Sequence, residues 1–89
     1  MSRKKERRAS PTGKIRFDGP VVVLRSTATV EAGIAGALGT CVGFSEPSSS
    51  GVAPVIGGAP KDVALAIDFG EGRSPIWVNP DLLVAVVYR

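Results

Sequence analysis

"VALAIDFGEGRSPIWVNPDLLVAVVY", Val63 to Tyr88, decides how this chain folds. In its first seven residues Val63, Leu65, Ile67 and Phe69 fall on one side of an extended backbone, and Ala64, Ala66 and Asp68 on the other. Alternation with a period of two predicts a strand over 63–69, because successive strand side chains point to opposite faces. "GEGRS" (70–74) supplies glycine for a turn, and "PIWV" (75–78) starts the return strand of a hairpin. Asn79-Pro80-Asp81 is a sharp turn, with the residue before the proline pushed out of the α region. "LLVAVVY" (82–88) then reads as the last strand.

Upstream, "VVVLRS" (21–26) is short, apolar and β-branched, and reads as a first strand. The stretch 27–38 is expected to be an irregular excursion. Its competing helix, "VEAGIAGAL", contains Gly33 and Gly36, each costing roughly 1 kcal/mol against alanine in a helix interior. A second strand is expected over 40–45, with Thr40, Val42 and Phe44 on one face and Cys41 and Gly43 on the other. "SEPSSSGVAPVIGGAP" (45–60) is rich in Pro, Gly and Ser and reads as a long surface loop spanning 45–62. Its Val52, Val55 and Ile56 are placed to lie across the mouth of a barrel.

Five short strands are thus separated by two long connections, a tight hairpin and a one-turn break. That order predicts an all-β domain over 20–89, a small five-stranded SH3-like barrel whose closure hides its sheet edges. In SH3-like barrels, which the strand order resembles, such a break is usually a 3₁₀ turn. Residues 1–19 are different in kind. They carry seven of the chain's eleven basic residues, among them Arg3, Lys4, Lys5, Arg7 and Arg8, and only two acidic ones. Such a segment, broken by Pro11-Thr12-Gly13, is expected to be a disordered basic tail on a slightly acidic body.

Several chemistries are unpromising. The chain has no histidine, which removes the commonest general base and the commonest metal ligand. The single cysteine, Cys41, has no partner for a disulfide and no nearby cation to activate it, so it reads as a small half-buried hydrophobe in a reducing, cytoplasmic setting. No run approaches the ~20 apolar residues of a membrane span, and the apolar run behind the basic start is too short for an export signal. Neither a metal nor a cofactor is expected, and no catalytic residue is assigned.

The glycines of "GALGTCVGF" (36–44) fit neither a dinucleotide fingerprint nor a phosphate loop, which need Gly-x-Gly-x-x-Gly or Gly-Lys-Ser/Thr at a helix start. Gly36 and Gly39 are expected in positive-φ turns, and Gly43 at a close backbone approach or bulge. The carboxylates Asp68 and Glu71 flank the hairpin turn with Arg73 and read as an exposed charge cluster, not as a catalytic pair. Trp77 lies on the strand face opposite Ile76 and Val78. It either projects outward as an interface anchor or caps the core beneath the 45–60 loop.

The order "GALGTCVGFSE" (36–46), "VALAIDF" and "IWVNPDLL" (76–83) resembles the immunity protein 31 family of bacterial polymorphic toxin systems. The matching positions are Gly36, Gly39, Gly43, Trp77, Asp81 and Leu82. The resemblance covers roughly 18–86, leaves the basic tail outside, and departs from the family pattern at the long 45–60 loop. Gly-before-strand motifs also occur in KOW-type and other SH3-like modules. What the resemblance implies is a small all-β protein that binds and neutralises a cognate protein toxin inside the producing cell.

From the residues themselves, the expected partner surface is Trp77 with Arg73, Asp68, Glu71 and Glu46, an acidic set suited to a basic partner. The alternative is a nucleic-acid-associated module anchored by Arg3, Lys4, Lys5, Arg7 and Arg8 through counterion release.

Overall fold

The computed structural model of the protein describes residues 15–86 in full and the backbone of 7–10, 87 and 88. Six strands form one antiparallel sheet: β1 (Arg7–Ser10), β2 (Pro20–Val23), β3 (Leu38–Ser45), β4 (Ala64–Asp68), β5 (Ile76–Val78) and β6 (Leu83–Tyr88). Their order across the sheet is β1-β6-β2-β3-β4-β5. The all-β reading therefore holds. Among the described residues no ladder joins β5 back to β6. Four residues of the stretch expected as a disordered tail, Arg7–Ser10, lie along β6 as β1. Arg3, Lys4 and Lys5 lie outside the described residues.

The core lies on one face of this sheet. Val21 and Val23 of β2, Cys41 of β3, Ile67 of β4, Val78 of β5 and Leu83 of β6 are buried together with Ile34. Ile15, Ile56, Leu65, Phe69, Ile76 and Leu82 pack around them. Cys41, expected half-buried, is 4% exposed and belongs to this core. Gly39 explains how Ile67 reaches so far in. A Cβ at Gly39 would lie 2.6 Å from Ile67 Cγ2, so only glycine leaves room. The close approach thus belongs to Gly39, not Gly43, where a Cβ would meet only Ala66 at an ordinary 3.8 Å. Gly36 is the positive-φ residue of the pair, at +78°.

Two helices interrupt stretches expected to be irregular. Thr27–Glu31 forms a short helix, α1, where a loop was expected. Ser26 caps it: its hydroxyl accepts from the Thr29 amide, while the Thr29 hydroxyl accepts from the Ser26 amide at 2.8 Å. This reciprocal box satisfies two amides that a helix start leaves orphaned. The helix ends before Gly33, so the glycines that argued against a helix stand outside it. The strand expected over 21–26 accordingly stops at Val23. Pro47–Ser50 makes a single turn, α2, inside the long loop and ends at left-handed Gly51.

That loop is tied down along its length. The Ser48 amide and hydroxyl both donate to the Asp62 carboxylate, at 2.8 and 2.6 Å. Ile56 forms a parallel bridge beside Val78, donating to the Trp77 carbonyl and accepting from the Asn79 amide. Of Val52, Val55 and Ile56, the loop residues expected across a barrel mouth, Ile56 packs its side chain against the core. Asn79, only 7% exposed, caps the 3₁₀ turn Pro80–Leu82 by accepting from the Asp81 amide, and donates from Nδ2 to the Gly57 carbonyl. The predicted break before the last strand is thus present, and it also anchors the loop.

Candidate partner-binding surface

Strand register places the expected site residues. Ile76 and Val78 pack toward the core, so Trp77 between them faces the other side of the sheet, half-buried. It stands directly opposite Ala66 of β4, which is itself opposite Gly43 of β3. Asp68, two residues beyond Ala66, shares this outer face. As a diagonal neighbour on the adjacent strand it comes within about 7–8 Å of Trp77. Asp68 pairs with Thr40, Thr40 with Pro20, and Leu38 lies two residues before Thr40 on the same face. Leu38 is 53% exposed, and Val22 stands opposite it. One face therefore carries an aromatic ring, a carboxylate and a solvent-facing leucine over three adjacent strands.

The Asp68 carboxylate also shapes the hairpin. Its Oδ1 accepts from the Gly70 amide at 2.8 Å, turning the chain out of β4. Glu71 (φ +59°) and Arg73 follow at the exposed tip, with the Arg73 amide donating to the Gly70 carbonyl. Asp68, Glu71 and Arg73 are thus gathered at one end of the sheet, with Trp77 close by.

Glu46 does not join them. It lies beyond the other end of β3, where Ser45 pairs with Ala64, and there caps α2 with its carbonyl. The five residue steps from Thr40 to Ser45 put it roughly 16 Å or more from the hairpin end. Of the positions matched by resemblance, Asp81 and Leu82 serve the 3₁₀ turn. The Asp81 carboxylate pairs with Lys61 at 3.3 Å, and Leu82 packs on the core and against Gly57. Arg7 and Arg8 belong to β1, on the far edge of the sheet from β5.

Sequence reasoning missed two contributors to this arrangement. Leu38 was read as the end of a loop, although its place two residues before Thr40 puts it in the same alternation. Asn79 was read only as a turn residue. The bulge expected as one alternative at Gly43 is present beside it, at Val42: β3 shifts register between Cys41 and Gly43, so Cys41 faces the core with Ile67, while Gly43 faces outward with Ala66. Cys41 and Gly43 therefore lie on opposite sides, against the expectation that they share a face.

Among the described residues, no group of three or more Cys, Asp or Glu side chains is placed to hold a metal ion, and no helix is long and apolar enough to cross a membrane. The Asp62 carboxyl is held below its ordinary range, through the Ser48 hydroxyl first and the Ser48 amide second. It clasps the loop and lies away from the Trp77 face. No protein-family model matches this chain, and no curated protein or solved structure matches it.

Proposed function

We propose that this chain is a non-catalytic, SH3-like protein-binding module that neutralises a cognate toxin by occlusion inside the producing cell. The observation that carries the reading is the register that puts Trp77, Asp68, Thr40 and exposed Leu38 on one outer face. An aromatic anchor beside an apolar side chain and a carboxylate is the composition of an interface centre, where a few residues supply most of the binding energy. The order β6-β2-β3-β4-β5, with a 3₁₀ turn before the last strand, supports the SH3-like form. The resemblance to the immunity protein 31 family supports the toxin as partner. The body from residue 20 onward has six acidic residues against four basic ones, which suits a basic partner and speeds its association.

The test is co-expression with the product of the adjacent reading frame. The chain is expected to relieve that product's toxicity and to form a complex with it. Trp77→Ala is expected to weaken the complex by about 2 kcal/mol or more, roughly thirtyfold, while the far-UV spectrum and melting stay those of a folded sheet. Loss of folding in that variant would assign Trp77 to the core instead.

A second reading rests on one observation, the seven basic residues within the first nineteen. They suit a nucleic-acid anchor without sequence preference. Binding of the full chain to duplex DNA or RNA with a steep salt dependence, abolished when Arg3, Lys4, Lys5, Arg7 and Arg8 are changed to glutamine, would favour it over the toxin reading.

A further inference from the structure

β3 is longer than the strand beside it. β2 pairs with Leu38–Thr40, and two further bonds extend the contact by one residue: the Asp18 amide to the Cys41 carbonyl, and the Cys41 amide to the Gly19 carbonyl. There the neighbouring chain turns away. The Gly19 amide donates to the Arg16 carbonyl across a turn in which Asp18 has φ +65°. Past Cys41 and the bulge at Val42, Gly43–Ser45 pair with β4 on one side, and among the described residues no strand lies on the other side. Among the described residues, backbone groups pointing to that side form an open edge, a template for one more strand.

The side chains at this edge point the same way. Phe44 is 72% exposed, the most exposed large hydrophobic among the described residues. It stands in register with half-buried Leu65, which is in register with fully buried Val78. This apolar row runs from the core to the edge and ends there in open solvent. Beyond it, Phe44, Ser45, Glu46, Ser49 and Ser50 line a shallow depression. Two carboxylates flank that end of the edge: exposed Glu46, and Asp62 held by Ser48 of the same turn. The nearest cation in sequence, Lys61, is paired with Asp81.

We infer that Val42–Ser45 is a strand-addition site for an extended, cationic segment of a partner protein. Main-chain hydrogen bonds supply the affinity, an apolar side chain opposite Phe44 continues the row, and a lysine or arginine meets Glu46. A second copy of the chain fits less well, because its own matching edge, Val42–Ser45, carries no charge to offer Glu46. The inference rests on the reading of the chain as a protein-binding module, but it uses a different surface from the one around Trp77.

The experiment is an NMR titration of the full chain with a capped peptide Lys-Val-Thr-Val-Lys. Its controls are the same peptide with alternate amides N-methylated and the acidic peptide Glu-Val-Thr-Val-Glu. The basic peptide is expected to shift the amides of Val42–Glu46 and to leave the Trp77 indole unmoved. N-methylation should abolish binding, and Glu46→Lys should weaken it about tenfold. Phe44→Thr keeps a strand-forming residue and should weaken it comparably, and both positions are exposed enough to change without unfolding the sheet. The inference is overturned by shifts elsewhere or none, by equal binding of the acidic peptide, or by indifference to N-methylation. Slow amide exchange along the edge in the free chain, or a dimer formed through it, also overturns it. The two readings fail separately. A partner complex indifferent to Trp77→Ala sinks the outer-face reading and leaves the titration standing, and an empty titration does the reverse.

Discussion

Thr29 and Asn79 are the buried polar side chains among the described residues, and each ties together segments distant from a regular ladder. The Thr29 hydroxyl lies 2.7 Å from the Leu24 carbonyl, to which it donates, and it accepts from the Ser26 amide. Thr29→Val keeps the shape and leaves both partners without it, in a partly buried place. It is expected to cost about 1–3 kcal/mol, read as a fall in melting temperature of about 4–8 °C per kcal/mol for a domain of this size. Asn79→Ala should cost a similar ~1–3 kcal/mol, because it frees both the Gly57 carbonyl and the Asp81 amide. A melt indistinguishable from the parent in either variant would contradict these assignments. Neither role was legible in the sequence. Thr29 looks like one more polar residue in a Gly-rich excursion, and the partners of Asn79 include a carbonyl 22 residues away. For Asn79, local pattern carries hydrogen bonds to near neighbours, not to distant loops. For Thr29 the partners are near, but the cap needed the helix start to be recognised first.

At the scale of elements, strands with clean alternation were readable and those shaped by contacts from elsewhere were not. β4 and a sharp turn before the last strand follow directly from Val63–Phe69 and Asn79-Pro80. α1 escaped notice because it is one turn long and its capping box uses Thr29 in place of the usual glutamate or glutamine. The bulge beside Gly43 was legible as a possibility from that glycine, but not its consequence, that Cys41 faces the core while Gly43 faces outward. The long loop was legible as a loop, but its clasp was not. Ser48 favours the ionised form of Asp62, so the folded carboxyl titrates below its value in the unfolded chain. The clasp is therefore fully present above the ordinary carboxylate range and is lost as pH falls through the lowered folded value. Hydrogen exchange at the Ser48 amide, corrected for its intrinsic pH dependence, should show weakened protection in acid, and Asp62→Asn should remove that dependence. Gly57→Ala should loosen the same loop by about 1–2 kcal/mol. Its backbone sits at φ +83°, and the added methyl would meet Leu82 Cδ1.

For the whole molecule, the class of fold was readable because strand-length apolar runs and turn residues alternate over most of the body. Assembly into one sheet follows from burying those runs on a common face. The candidate surface was legible only in part. Trp77, Asp68, Glu71 and Arg73 come from one hairpin, so sequence proximity already brings them together. Leu38 and Thr40 join them only through the pairing of β3 with β4, and Glu46 is separated for the same reason. The central claim is that this outer face binds a protein partner. Isothermal titration of the chain with the product of the adjacent reading frame tests it most directly, comparing the parent with Trp77→Ala. The account predicts a saturable complex in the parent and a loss of about thirtyfold or more in the variant. No complex with the parent, or one of unchanged affinity in a folded Trp77→Ala chain, would contradict it.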